Sequence, residues 1–443
     1  MPRRKADRAS QSTRRNFLKT TGAAAVGLSA GTRFAAGQNT EQLALHGGPK
    51  AVTLSDEAAT RWPLYGKEEE EAVLALVRNP GYGVIKEFEK EWADFHGMPY
   101  AKAHFNGTSA LTSMMFALDL PPGSEVLVAS YSTWFPLVPA RFFGLVPRFV
   151  DVDPRTINID VEDAKKRLTK NTRAILAVHW YGVPCEMDRI VEFAKEHDLI
   201  VLEDCSHAHG AAVKGKLVGT WGRMSAFSLQ MGKPLPAIEG GMAMYHTRED
   251  FERATVYGNY DLPNTFPADS PYRKYHGTAF GSKLRIHPMA AALARCQLKR
   301  LKEYNTAGVA QLRRLNDRLT QLPGLTEQYA RPDMDRVVYA NNLLFIDEAK
   351  AGMSREAAVA ALRAEGVPVG VYKWVLLHTM PLFQEAKWWH HLPENPGELP
   401  GSNQVNKTLI KLPHLTREAP ELVDQWVRAF EKVWAHRKQI GKA

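Results

Sequence analysis

Between Asp198 and Tyr245 the chain carries an acid, an imidazole, a hydroxyl and an amine at spacings that can build one reactive site. Leu199-Ile200-Val201-Leu202 is a short apolar run of the kind a buried parallel strand needs, and it ends in acid, Glu203-Asp204. Cys205-Ser206-His207-Ala208-His209-Gly210 follows. Ser225-Ala226-Phe227-Ser228-Leu229 reads as a second strand, and Gln230-Met231-Gly232-Lys233-Pro234 leaves it. Glu239-Gly240-Gly241 then leads into Met242-Ala243-Met244-Tyr245. A carboxylate at the carboxyl end of a parallel strand sits where open α/β sheets place their ligands. A lysine on a short loop between two strands, stiffened by a following proline, can be held facing the same place.

The order strand, Glu203-Asp204, His207 and His209-Gly210, then Phe227-Ser228, Lys233 and Glu239-Gly240-Gly241 resembles the DegT/DnrJ/EryC1/StrS family of aminotransferases. Ile238 stands where that family's last motif has its first glycine, and Pro234 follows the lysine where Asn is common. Neither position carries a reacting group. The resemblance covers about residues 43 to 435. It implies an α/β protein of the fold-type I class: a large domain with a mostly parallel seven-stranded-type sheet, and a smaller C-terminal α/β domain.

It also implies pyridoxal 5′-phosphate as cofactor, and the residues suit that chemistry. Lys233 offers the amine that the cofactor aldehyde requires. Asp204 offers a carboxylate to keep the pyridine nitrogen protonated. His207 matches the family position that faces the phenolic oxygen, and Ser228 can give a hydroxyl to the phosphate. Asn106-Gly107-Thr108-Ser109 opens a helix at Ala110, and exposed amides with Gly107, Thr108 and Ser109 make an anion site there. Trp134, with Tyr131 as rival, is expected to lay an aromatic face on the cofactor ring. His179-Trp180-Tyr181-Gly182 ends a strand and should border the cleft, with His179 either contacting substrate or packing. Gly281 to Arg285 matches a motif that reaches across a homodimer, which gives Lys283 to the partner subunit's cofactor phosphate; Leu284 departs from the usual Tyr there.

Length and composition fit a globular chain of two domains: 443 residues, 44% hydrophobic and 24% charged. The net charge of +9 is concentrated at the start. Residues 1–37 hold eight basic residues against Asp7 alone, which leaves 49 basic against 47 acidic residues in the rest. A near-neutral body argues against nucleic acid as partner. Thr13-Arg14-Arg15-Asn16-Phe17-Leu18-Lys19 matches the twin-arginine export pattern; Thr20 to Gly31 is weakly apolar, and Ala35-Ala36-Gly37 offers small residues for cleavage. The expected division is therefore a signal segment 1–37, a cofactor domain 38–305 and a small domain 306–443, exported to the periplasm or beyond, with the segment as anchor if uncleaved. Three cysteines are too few for a disulfide framework. Trp388-Trp389-His390-His391 lacks the further ligand spacing of a metal site, and no metal is expected.

Helices are expected over Lys67–Val77, Lys86–His96, Ala110–Leu118, Glu186–His197, Met289–Leu301, Val309–Leu322, Ser354–Glu365 and Pro420–Trp434. The expected reaction is transamination, from glutamine or glutamate to a keto-cyclitol or keto-sugar. Dehydration of a keto-sugar is the first rival, but related dehydratases replace the lysine that Lys233 supplies. An exported, non-catalytic binding protein of the same fold is the second.

Overall fold

The computed structural model describes residues 41–278 and 280–441; the expected export segment, 1–37, lies outside them. Seven strands make the main sheet: β1 (Tyr100–His104), β2 (Glu125–Ala129), β3 (Val146–Val150), β4 (Thr172–Val178), β5 (Ile200–Asp204), β6 (Met224–Ser228) and β7 (Gly241–Tyr245). Their order is β1-β7-β6-β5-β4-β2-β3. Only β7 runs against the rest, pairing antiparallel with β1 and β6, while the other pairs are parallel. A parallel sheet is covered on both faces, so its strands carry unbroken apolar runs. Leu127, Val128, Ile175, Leu176 and Leu202 are accordingly fully buried.

The helices that cover it follow from spacing and caps. Asn106 caps α1 (Gly107–Ala117), its side-chain oxygen accepting from the Ser109 N–H. In α2 (Met187–Glu196), Met187, Ile190, Phe193 and Ala194 form one buried stripe. The carboxyl ends of β4, β5 and β6 and the start of α1 open on the same cavity, the crevice that such sheets use for ligands.

A second sheet is antiparallel, in the order β8-β9-β11-β10, from β8 (Leu325–Glu327), β9 (Asn341–Ile346), β10 (Gly370–Val371) and β11 (Leu409–Pro413). The two helices expected over Met289–Leu301 and Val309–Leu322 are one, α3 (Pro288–Leu319). Glycine inside a helix costs only about 1 kcal/mol, and Gly308 packs without clash beside His414. The helix is held along both halves: Ala291, Leu298 and Leu301 belong to the core under the main sheet, Leu315 and Leu319 to the core of the second. The expected domain boundary at 305/306 falls inside it.

Residues 41–66, the lead-in to the expected cofactor domain, keep only part of their expected place there: Trp62 reaches the Lys233 carbonyl, but residues 43–59 pack elsewhere. Leu43, Ala51, Val52 and Ala59 pack in the second core, against residues of β9, β11 and α4 (Pro420–Ala435). A buried ion pair fastens this strap. Glu365 accepts from the backbone N–H groups of Ala44 and Ala51, and Lys432 donates to Glu365 (3.0 Å) and to the Pro49 carbonyl. Both charged side chains are almost wholly excluded from water. Lys432→Met leaves the Glu365 carboxylate buried without its cation, and such a break costs about 3–5 kcal/mol. Urea unfolding of the variant should show a loss of that size; a loss within error of zero would mean that the pair contributes nothing.

Candidate active site

A cavity of about 520 Å³ lies at the carboxyl ends of β4, β5 and β6, and it is lined by Asp204, His207, Ser228 and Lys233 together. Asp204 is the last residue of β5. Its Oδ1 accepts from the Ser206 N–H at 3.0 Å, and among the described residues no cation pairs with it. Burial holds its carboxyl above the usual carboxylate range, against the pull of Ser206 and Lys233. Its neighbour Glu203 points the other way. Its oxygens accept from the N–H groups of Gly219, Trp221 and Gly222, and lie 3.2 Å from His179 Nε2. Burial raises the Glu203 carboxyl, yet these donors outweigh it and the net direction is down. His179 is fully buried in this network and also accepts from the Cys185 N–H, so it packs and does not reach the cavity. Although His179, Glu203 and Cys205 could converge on a cation, the carboxylate is already engaged by these four donors.

Lys233 follows β6 on the turn closed by its own N–H to the Gln230 carbonyl. Its ammonium donates to Tyr339 Oη at 3.1 Å and lies over that ring, 4.5 Å from the centroid. Its backbone carbonyl accepts from the Trp62 indole at 3.0 Å. Tyr339 stacks in turn on His207, with ring centroids 4.2 Å apart and planes 19° from parallel. Burial, reinforced by the Lys233 charge, pushes the His207 imidazole well below its usual range, so it is neutral. His207 Nδ1 is buried and without a partner.

The anion end is built by close approach. A Cβ on Gly107 would come 2.7 Å from the Ser228 Cβ, so only glycine lets the start of α1 meet the end of β6. Thr108 and Ser228 line the cavity there, under the positive end of the helix. Ser109, expected beside them, spends its hydroxyl on Asn106 Oδ1 (2.9 Å) and does not face the cavity. Trp134 differs too. Its carbonyl begins a helical turn, accepting from the N–H groups of Leu137 and Val138, and its ring is 40% exposed, while Phe135 lines the cavity in its stead. Tyr131, the rival, is buried edge-on against Trp180. Lys283 is exposed and bridges Asn259, away from this chain's own cavity.

Sequence reasoning brought Tyr181 to the cleft only as part of the His179–Gly182 stretch, gave neither it nor Tyr372 a part in the wall, and left out Tyr339 and Trp374. Tyr181 has φ 51° and ψ 33°, a left-handed conformation that costs a bulky residue about 1–3 kcal/mol. Its hydroxyl meets that of Tyr372 at 2.8 Å. Trp374 donates its indole N–H to the Ser132 carbonyl (2.7 Å), which ties the chain after β10 across to the main sheet. Tyr339, Tyr372 and Trp374 close the cavity from the side of the second sheet, facing Tyr181 on the main-sheet side.

The group implied by the resemblance fits these features. A protonated ring nitrogen satisfies the unpaired acid, a phenolic oxygen satisfies the orphaned His207 nitrogen, and a phosphate fits the glycine-narrowed cradle at α1. The DegT/DnrJ/EryC1/StrS aminotransferase family matches residues 65–431. GDP-perosamine synthase of Escherichia coli O157:H7 is 34% identical over 50% of this chain and 58% of its own length. L-glutamine:scyllo-inosose aminotransferase of Streptomyces griseus is 27% identical over 90% of this chain and 99% of its own. Among solved structures, an aminotransferase of Psychrobacter cryohalolentis superposes with a TM-score of 0.76 at 27% identity, covering 85% of this chain and 98% of that one. A match over so much of the chain decides its membership: it belongs to the DegT/DnrJ/EryC1/StrS aminotransferase family, and pyridoxal 5′-phosphate is the group its cavity is built to hold.

Proposed function

We propose that the protein transfers an amino group from glutamine or glutamate to a keto-cyclitol or keto-sugar. The observation that carries this reading is the meeting of Lys233, Asp204 and His207 on one cavity. Bound pyridoxal 5′-phosphate supplies an electron sink and a temporary amine carrier. Lys233 anchors the cofactor and moves a proton between the substrate carbon and the cofactor carbon that exchange the amine. Asp204 keeps positive charge on the ring nitrogen, His207 faces the phenolic oxygen as a neutral donor, and Gly107, Thr108 and Ser228 hold the phosphate. The aromatic lid of Tyr339, Tyr372 and Trp374 excludes water. Lys233 favours transamination over the dehydratase alternative.

Asp204→Asn tests the reading. The amide keeps the shape and loses the charge, so the variant should still take up the cofactor while turnover falls about 10²- to 10³-fold. Wild-type rates would leave Asp204 a structural acid.

Two finer readings go with it. The active unit is a homodimer in which Lys283 reaches the partner's cofactor phosphate; Lys283 is exposed and lies off its own cavity, which a second copy explains. Lys233→Ala and Lys283→Ala proteins, each weak alone, should regain activity when mixed and refolded; no recovery retires the trans role. The second reading is export by the twin-arginine route, supported by Arg14-Arg15 within its pattern. Replacing both by Lys should leave loaded enzyme in the cytoplasm, and a reporter that still crosses would overturn it.

A further inference from the structure

The loop that carries Lys233 is pinned from outside by the lead-in. Between β6 and β7 the chain folds back on itself. The Leu229 N–H donates to the Gly240 carbonyl (2.8 Å), the Ala237 N–H to the Leu229 carbonyl (2.8 Å) and the Met231 N–H to the Ile238 carbonyl (2.9 Å). Two side chains of the lead-in meet this loop. The Trp62 indole donates to the Lys233 carbonyl at 3.0 Å, and the Tyr65 hydroxyl accepts from the Ile238 N–H at 3.1 Å. They hold the loop on both sides of Pro234: at the lysine itself, and at the residue whose carbonyl anchors Met231.

Ile238 gives the second contact its weight. Its φ is 63°, in the left-handed region that branched side chains rarely adopt. The Glu239 N–H reaches back to the Ala237 carbonyl (2.7 Å), which makes Ile238 the centre of a three-residue turn. Such a turn is rare and strained when its central φ is positive. The conformation serves the loop, because it aims the Ile238 N–H at Tyr65 and the carbonyl back at Met231. A strained residue persists only where its surroundings over-determine it, and Tyr65 supplies that constraint from outside the loop.

The lead-in is itself fixed on either side of these two contacts. Shortly after β11, the Thr416 N–H donates to the Ala59 carbonyl (2.7 Å) and its hydroxyl to the Arg61 carbonyl (2.9 Å). Beyond Tyr65, the buried Glu69 carboxylate accepts from the Gly66 N–H (2.8 Å) and from the Gln297 side-chain amide on α3 (2.7 Å). The Trp62 ring stands edge-on to Tyr304 of α3, with centroids 5.5 Å apart. Proton transfer by Lys233 requires its amine within hydrogen-bond reach of the reacting atoms. A fixed backbone leaves the side chain alone to move between Tyr339 and the cofactor.

We propose that Trp62 and Tyr65 are positioning residues for Lys233, and that Tyr65 acts by holding Ile238 in the conformation the loop requires. This rests on the reading of Lys233 as the residue that anchors the cofactor.

The test uses the full protein and its Trp62→Phe, Tyr65→Phe and Ile238→Gly variants, singly and combined. In either phenylalanine variant, backbone hydrogen exchange over residues 229–241 should quicken about tenfold, the effect of one lost hydrogen bond. Exchange in β2 and β4 should stay as in the wild type. Apoprotein mixed with pyridoxal 5′-phosphate and quenched with borohydride reports how fast Lys233 captures the cofactor, and both variants should be about tenfold slower. Glycine takes a left-handed conformation without strain. In the Ile238→Gly background, therefore, Tyr65→Phe should slow capture and quicken exchange less than about twofold, whereas Trp62→Phe should keep its full effect. Wild-type exchange and capture in both phenylalanine variants would overturn the proposal. So would a Tyr65→Phe defect undiminished beside Ile238→Gly, or faster exchange spread through β2 and β4, which would make both residues merely structural. Failure of the aminotransferase reading looks different: borohydride leaves no pyridoxyl group on Lys233 in any of the proteins, and exchange over residues 229–241 in the same set then decides the role of Trp62 and Tyr65.

Discussion

Replacing Lys233 by alanine should abolish turnover, with a fall of at least about 10⁴-fold, because one side chain performs both the anchoring and the proton transfer. Cofactor should still enter the variant, since Asp204, Ser228 and the start of α1 remain to receive it. In the wild type, borohydride reduction followed by peptide mapping should find the pyridoxyl group on Lys233. Tyr339 sharpens the expectation. Its hydroxyl accepts from the ammonium at 3.1 Å, so the free amine is held at the cavity wall and not out in solvent. Labelling on any other lysine, or substantial turnover by the alanine variant, would remove Lys233 from the mechanism.

The second large effect is acid lability. Burial drives His96 and His414 down to about 4, His104 and His209 down to about 3, and His207 well below its usual value. Each is neutral in the native protein, whereas the unfolded chain takes up a proton below about pH 6.5. Stability is therefore fully present above about pH 6.5 and is lost as pH falls. Each histidine contributes a slope of about 1.4 kcal/mol per pH unit, and the five together about 7 while all remain neutral in the native state. Asp204 works in the opposite sense, because a raised carboxyl gains stability as pH falls between its unfolded and its folded value, but one group cannot offset five. Urea titrations between pH 7 and pH 5, bracketing the start of histidine protonation, should show the midpoint collapse. His104 has neither ring nitrogen bonded, so His104→Phe should flatten the slope by about one group's share. A stability flat over that range would mean that these imidazoles meet water or partners in the native state.

The residues legible from the sequence are those whose role is local. Asp204 and Ser228 end neighbouring strands and His207 and Lys233 follow on the loops, so the apolar runs set them near one crevice while the family resemblance gave each its role. Gly107 and Thr108 follow from the helix start they announce. Tyr339 stands 106 residues from the lysine it touches, and Trp374 stands 242 from the serine carbonyl it binds. No spacing rule links such pairs; only the docking of the second sheet does. Trp134 and Phe135 are adjacent and equally aromatic, and a single turn starting at Trp134 decides which ring faces inward. Gly308 likewise reads as a break, yet burial on both halves of α3 outweighs its low propensity.

The clasp on the lead-in strap also sets an order of events at the ribosome. Pro49 and Glu365 both wait for Lys432, which lies 383 residues beyond the proline. The main sheet is complete in sequence by Tyr245 and can assemble while synthesis continues. The strap can be locked only after the last long helix has emerged. The beginning of the described chain is thus among the last parts to be secured, and a nascent chain truncated before Lys432 lacks the cation that completes the clasp.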